Sequence, residues 1–497
     1  MSAATDSHAP TLDAPGVDAP PEQLDASPAG GSRWVALYVL CAGMLMIVLD
    51  VTVVNVALPS IQNDLHFSGS SLAWVINAYL IAFGGLLLLA GRCGDLIGRR
   101  SVFLAGVGLF TSASLACGLA DSQWLLIAAR FIQGVGGAMT SAVILGMIVT
   151  MFPEPREQAK AIGVYAFVAS AGGSVGLVAG GVLTQALDWH WIFFINVPIG
   201  IATIVLAGRL LERDAGIGFG EGADVPGAVL VTAALMLGVY TIVKPAAEMG
   251  WGATRTLVLG GVCVALLAAF LAREASASNP LVPLRILRSR NLAAANLIQI
   301  LSVPAMFGMF FLGALYLRRV LGYDPLQTGA AFLPVTFAMG LLSVRYSERL
   351  VTRFGARTTI LPGLALIVAG VSVFALAPVH SRYLTELMPA MLLLGVGAGV
   401  CFPALMTLAM SGTGPHDAGL ASGVVNTSAQ VGGALGLAVL ATLASSHSHA
   451  LRLGGHSQAA SLTGGYQLAF WVAAGLAVAA VAVALSAREG SPAQTAG

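Results

Sequence analysis

Charge is what this chain has least of. Only 9% of its 497 residues are Asp, Glu, Lys or Arg, against about 25% in ordinary soluble domains. With 57% hydrophobic residues, a water-soluble fold has nowhere to put its apolar surface, so an integral membrane protein is implied. Lysine occurs twice, as Lys160 before Ala and Lys244 before Pro. A nucleotide-binding P-loop needs Gly-Lys-Ser/Thr and is therefore absent, and no polar stretch is long enough for a nucleotide domain. A formal net charge of +1 offers no basic face to phosphates, which argues against a nucleic-acid partner. The five cysteines (Cys41, Cys93, Cys117, Cys263 and Cys401) fall in apolar runs or in the loop expected after the second run. They make no disulfide framework and read as small buried hydrophobes. Residues 1–32 hold Asp6, Asp13, Asp18, Glu22 and Asp25 but no Lys or Arg. That predicts a disordered acidic tail rather than a signal peptide. No clustered His, Ser or carboxylates share one depth, so the chain does not read as an enzyme.

What is there is a series of apolar runs. A helix crossing the hydrocarbon needs about 20 residues. On that ruler the sequence contains fourteen spans, at 34–58, 72–92, 102–120, 124–151, 160–185, 191–211, 225–244, 254–272, 291–317, 328–347, 358–377, 384–408, 417–443 and 464–486. The 60 glycines suit helices that approach closely in lipid. An even number of spans puts both termini on one side, and Lys and Arg decide which. Of 24 Lys and Arg, six (Lys244, Arg255, Arg318, Arg319, Arg382, Arg452) fall in the outer segments if the termini are cytoplasmic. Arg130 and Arg345 lie within spans, and the remainder lie inside.

The segment Gly91-Arg-Cys-Gly-Asp-Leu-Ile-Gly-Arg-Arg100 after span 2 has a weaker echo after span 10, Glu348-Arg-Leu-Val-Thr-Arg-Phe-Gly-Ala-Arg357. Spans 2 and 10 occupy equivalent places if spans 1–6 and 9–14 are two related six-helix halves, a construction common in alternating-access transporters. The chain then divides into a tail (1–32), an N-terminal six-helix bundle (33–213), two inserted helices (214–275), a C-terminal six-helix bundle (276–487) and a second tail (488–497).

Asp50 is the deepest carboxylate in any span. An acid at mid-membrane costs about 2.5–3.5 kcal/mol on insertion scales, so it is seldom there for packing. It reads as a protonatable group whose charge changes as a cavity alternates between sides; the plainer alternative is a structural acid held by a cation. Arg130 is the natural partner. Counted from the outer ends of their spans, the two residues lie about 12 Å and about 9 Å deep, so both could line one water-filled cavity. Arg130 could instead clamp a helix backbone. Arg345 sits near the inner end of span 10 and can snorkel to water. Gly91, Arg92, Gly94, Asp95, Gly98, Arg99 and Arg100 read as a gate: the glycines permit a tight crossing, and Asp95 pairs with an arginine or a helix N-terminus in one conformation. Gly172, Gly176 and Gly180 present a smooth stripe for helix packing or for sliding. Aromatic, soft and amide side chains in spans 2 and 9 (Trp74, Asn77, Tyr79, Asn296, Gln299, Met306, Phe307, Phe310, Phe311) suit bulky amphipathic ligands, although such stripes also face lipid or core. His447, His449 and His456 read as part of a Gly/Ser-rich outer loop rather than a metal site.

With Leu49-Asp50-Val-Thr-Val-Val-Asn55-Val-Ala-Leu-Pro59, the Gly91–Arg100 segment, Arg130-Phe-Ile-Gln133-Gly134-Val-Gly136-Gly137-Ala138, Trp191-Ile-Phe-Phe-Ile-Asn196-Val-Pro198-Ile-Gly200 and Gly419-Leu-Ala-Ser-Gly423-Val-Val-Asn426-Thr-Ser, the chain resembles the major facilitator superfamily. The likeness is to its fourteen-span drug:proton antiporter branch and covers Trp34 to about Ser486. It implies an all-α polytopic fold of two six-helix bundles with two inserted linker helices. Proton coupling is implied at Asp50, Arg130 and Gln133, with Asn55 and Asn426 beside the substrate. The resemblance further implies a small amphipathic cargo such as an antibiotic or dye, a proton gradient in place of any cofactor or metal, and a monomer in the plasma membrane. Ala/Gly-rich, Lys-poor usage points to an actinobacterium. In span 5 the branch carries Gly-Pro before its final Gly-Gly; here Gly176-Leu177-Val-Ala-Gly180-Gly181 has Leu177 where proline belongs. Import of a specific solute by proton symport, and a polytopic receptor, are the competing functions.

Overall fold

A computed structural model describes residues 30–214, 216, 218, 223–277, 279–282, 284–411 and 418–486. Most of the acidic tail and the C-terminal tail therefore lie outside the described residues. The described chain is helical almost throughout, with no strand. In hydrocarbon no water satisfies backbone N–H and C=O groups, so each crossing has to be a helix. Fourteen helices are long and apolar enough: α1 Arg33–Asp64, α2 Ser71–Ile97, α3 Arg99–Gly118, α4 Gln123–Met151, α5 Arg156–Ala186, α6 Trp191–Leu210, α7 Val225–Met249, α8 Thr254–Ser276, α9 Arg290–Arg319, α10 Pro325–Ser343, α11 Ala356–Ala375, α12 Tyr383–Met410, α13 Leu420–Leu453 and α14 Gln458–Ser486. Each corresponds to one run read from the sequence.

Two ends depart from that reading. Helix α2 continues to Ile97, so Gly91, Arg92, Cys93, Gly94 and Asp95 lie on the helix, and the chain reverses at Gly98 alone, where φ is 94°. Helix α13 continues to Leu453, which places His447 and His449 on a helix rather than in an outer loop; only His456 follows its end. Hydropathy marks where apolar side chains stop. Backbone i→i−4 bonding continues past that point until something breaks it.

Helices α1–α6 pack mainly on one another through α3–α4, α2–α4 and α1–α5, and α9–α14 through α11–α12, α9–α13 and α9–α14. Between the groups run α2–α13, α5–α10 and α1–α9. Under the proposed repeat α2 corresponds to α10 and α5 to α13, so the first two are one contact made twice. Small residues bring these helices together. A β-carbon at Gly84 would stand 2.6 Å from Gln430, and one at Gly423 2.6 Å from Leu88. Gly181 meets Pro325 and Leu326, and Gly329 lies against the Leu177 carbonyl. The stripe Gly172, Gly176 and Gly180 faces α1 instead, at Val48, Thr52 and Val53. It is packing within one group of helices, while Leu177 and Gly181 meet the other. Helix α7 leans on α2 and α13, and α8 packs chiefly on α7.

The repeat is also visible in atoms. Gly355 has φ 85° and starts α11 as Gly98 starts α3. Two residues after each glycine comes an arginine that donates to a carbonyl at the end of a later helix. Arg100 Nη2 reaches the Gly208 oxygen of α6 at 2.6 Å, and Arg357 Nη2 the Leu485 oxygen of α14 at 2.5 Å.

Candidate functional site

The acid and the base anticipated at matching depth meet directly. Arg130 Nη1 donates to Asp50 Oδ2 in a short ion pair, and to Gln133 Oε1 at 2.7 Å. Gln133 Nε2 donates to Asp50 Oδ1 at 2.7 Å and to Ser114 Oγ at 2.8 Å. Arg130 Nε donates to the Val75 carbonyl at 2.9 Å, so the backbone-clamp reading describes part of its work as well. Asn196 Nδ2 lies 3.5 Å from Asp50 Oδ1. The Arg130 guanidinium sits 4.5 Å from the Tyr79 ring centroid and 5.8 Å from that of Phe193, within cation–π range. Five helices (α1, α2, α3, α4 and α6) thus converge on one carboxylate. Helical spacing explains part of this: Arg130 and Gln133, three apart on α4, share a face.

Sequence reasoning expected this group to line a water-filled cavity. In this conformation it does not. Asp50 and Gln133 are 0% exposed and Arg130 is 1% exposed. Ionised partners out of water are held by mutual pairing and hydrogen bonds, and every polar neighbour here serves that end. Ser114 and the Asn196 contact escaped the sequence reading. Asn196 could have been found, since it stands in the quoted Trp191–Gly200 motif; Ser114 is one small hydroxyl in an apolar run and carries no such signal.

A cavity of about 1810 Å³ lies between the two groups of helices, walled by Met44, Val51, Tyr79 and Phe83 on one side and Phe307, Asn426 and Gln430 on the other. It extends to Gly91, Arg92, Asp95 and Arg99 and to Arg285 and Arg288, the basic ends of the helices. At the opposite end α5 and α10 are in contact, with Gln185 Oε1 accepting from the Leu326 amide at 3.2 Å. Of the predicted substrate residues the cavity wall includes Tyr79, Phe307 and Asn426. Trp74, Gln299 and Phe310 are half-buried outside it, and Asn55, Asn77, Asn296, Met306 and Phe311 are buried. Asn55 and Asn296 donate back to the carbonyls of Val51 and Leu292 on their own helices, both at 2.8 Å, and Phe310 packs on Phe332 at 5.4 Å. Aromatic and amide groups spread round a helix reach every face, and only one face meets the cavity. Gln430 was overlooked, although an amide one turn after Asn426 in an apolar run is a visible signal. Tyr79 belongs to both places: it stands in the cavity wall, and its ring covers the Arg130 guanidinium.

Several of the residues expected to form a gate are connected to one another. Asp95 pairs with Arg99 at 3.3 Å. Arg99 Nη1 also donates to the Gly146 carbonyl and to Thr150 Oγ1 on α4, both at 3.1 Å. A β-carbon at Gly94 would stand 2.6 Å from Val143, so α2 and α4 touch here. Asp214, which sequence reading passed over, accepts from the amides of Arg99 at 2.5 Å and Arg100 at 3.1 Å. A carboxylate there satisfies orphan N–H groups at the start of α3 and complements its dipole. Arg345 is exposed at the end of its helix, as expected of a snorkelling side chain. Among the described residues no His, Cys, Asp and Glu group is arranged to hold a metal.

The profile of the Major Facilitator Superfamily matches residues 40–437. The chain is 41% identical over 453 residues to the puromycin resistance protein pur8 of Streptomyces alboniger, covering 89% of each. It is 39% identical to the cephamycin export protein CmcT of Amycolatopsis lactamdurans, over 83% of this chain and 85% of that one. A solved bacterial homolog of the human lysosomal transporter Spinster shares the fold, with a TM-score of 0.66 at 18% identity over 94% of this chain and all of that one. The chain belongs to the Major Facilitator Superfamily, and it is a membrane protein with fourteen helices long and apolar enough to cross a bilayer among its described residues.

Proposed function

We propose that the protein is a proton-coupled secondary transporter that exports small amphipathic compounds by alternating access. The observation that carries the reading is the position of Tyr79, one ring between a sealed Asp50–Arg130–Gln133 network and the cavity that separates the two groups of helices. Movement of that ring would expose a titratable carboxylate to the cargo space, which is what coupling requires. The relatives named for puromycin resistance, cephamycin export, and tetracenomycin C resistance and export, from Streptomyces and Amycolatopsis, support an antibiotic-like cargo and an actinobacterial plasma membrane. One proton moving down 100 mV releases about 2.3 kcal/mol, enough to hold a neutral compound at a gradient of roughly fifty-fold. The excess of arginine at the α2–α3 and α10–α11 turns supports a cytoplasmic side for them, for the open end of the cavity and for both termini. Residues 33–213 and 276–487 act as the rocking bundles, 214–275 as an insertion.

Inverted membrane vesicles test the proposal. An acid interior should drive accumulation of labelled puromycin, and a protonophore should abolish it. Uptake that survives collapse of the gradient, or transport in the opposite direction, would overturn proton-driven export; the latter outcome would favour a symporter.

A further inference from the structure

Two carboxylates at the mouth of the cavity take no part in the scheme above. Asp224 caps the start of α7, with Oδ1 accepting from the Gly227 amide at 3.1 Å and from Arg273 Nε at 3.0 Å. Glu274, in the last turn of α8, accepts from the Val282 amide through Oε2 at 2.8 Å. Each residue is 3% exposed, although both stand in the cavity wall. In each, the second oxygen has no hydrogen-bond partner among the described residues: Asp224 Oδ2 and Glu274 Oε1. Both atoms lie beside Gly227, for a β-carbon there would stand 2.5 Å from the first and 3.2 Å from the second.

Two buried carboxylates beside one point repel each other when both are ionised, which favours a proton on one of them, and an unpaired buried acceptor is unfavourable in its own right. Arg273 already engages the far oxygen of Asp224, which leaves the trio one negative charge in excess and disfavours a second bulky cation beside it. A hard metal ion takes six or more oxygens, and two lie here. A proton needs only two, one as donor and one as acceptor, in the strong O–H···O⁻ geometry. The other charged groups around the mouth are Arg285 and Arg288 after α8, with Arg92, Asp95 and Arg99 from α2 and α3.

We infer that Asp224 and Glu274 share one proton, forming a carboxyl–carboxylate pair that is a second proton-binding site of this protein, on α7 and α8 at the mouth of the cavity. What that proton is used for rests on the proton-driven reading above; its presence does not. The test is infrared difference spectroscopy of the purified full chain in H₂O and D₂O across neutral pH. It is done in the Asp50→Asn background, so that the central carboxylate is silent and transport is not the readout. A protonated-carboxyl carbonyl band should persist at neutral pH in Asp50→Asn and vanish when either Asp224→Asn or Glu274→Gln is added. If Asp224→Asn loses its Arg273 pair and fails to fold, Glu274→Gln still decides. Absence of the band in Asp50→Asn, its survival of Glu274→Gln, or its loss when guanidinium or sodium chloride is added would overturn the shared proton, the last by showing a cation in its place. None of these results would touch drug export, which the vesicle assay reads separately.

Discussion

The two halves turn their helices alike and fill their interiors differently. Gly98 and Gly355 make the same left-handed reversal, and each is followed by an arginine bound to the end of a later helix. Three residues before the first glycine stands Asp95, paired with Arg99; three before the second stands Thr352, whose hydroxyl donates to the Glu348 carbonyl of its own helix at 2.9 Å. The centre of the first half is an ionic network around Asp50. The second holds a cluster of tilted and edge-on rings, with Phe374 at 4.8 Å from Phe470 and 6.0 Å from Tyr316, and no Asp, Glu, Lys or Arg among the buried polar residues of its described part. The two halves therefore share one turn geometry, while a buried ionic network sits in one of them. We read the first half as the coupling half and the second as the apolar wall against which it rocks.

Substitutions can break or sharpen that contrast. Asp50→Asn, with expression intact, should bring pH-driven puromycin accumulation in vesicles down to the level of protein-free membranes; retained coupling would end the assignment. Arg130→Met leaves a buried carboxylate without its cation and should cost about 3–5 kcal/mol of stability, read as a lowered midpoint in detergent. Adding Asp50→Asn should recover part of the loss. Phe374→Ala opens a cavity in the ring cluster at a similar cost, about 3–5 kcal/mol, yet the protein that still folds should keep its pH coupling. Equal loss of coupling in the two would erase the distinction between halves. Tyr79→Ala removes the partition between cavity and ion pair and should produce a proton leak without cargo, measured as dissipation of an imposed pH gradient in proteoliposomes. The smallest effect is expected at the turns: Asp95→Asn should lower turnover several-fold with cargo binding unchanged, and Thr352→Ala should alter neither.

Much of this was legible before any coordinates. Fourteen spans follow from the length of apolar runs, because hydrocarbon admits helices alone. Asp50 stood out because its cost in lipid demands a reason, and Arg130 because it lay at the same depth. The misplacements share one cause, which is that hydropathy is blind to direction. It could not say that Asn77 and Phe311 are buried outside the cavity wall, that Gly172, Gly176 and Gly180 face α1 while Gly181 meets the other half, or that α2 and α13 stay helical beyond their apolar part.

The sequence by itself determined that this chain lives in a membrane, how often it crosses, that it is built twice, and which single acid is out of place there. Those properties depend on composition and on one-dimensional spacing. Tertiary structure alone decided that the acid is sealed by Arg130 and Gln133, that one tyrosine ring covers that arginine in the wall of the cavity, and that Asp224 and Glu274 each leave an unpartnered oxygen beside Gly227 at the start of α7. Each of these depends on which way a side chain points once helices distant in the chain have packed, and short-range electrostatics is set at that last step.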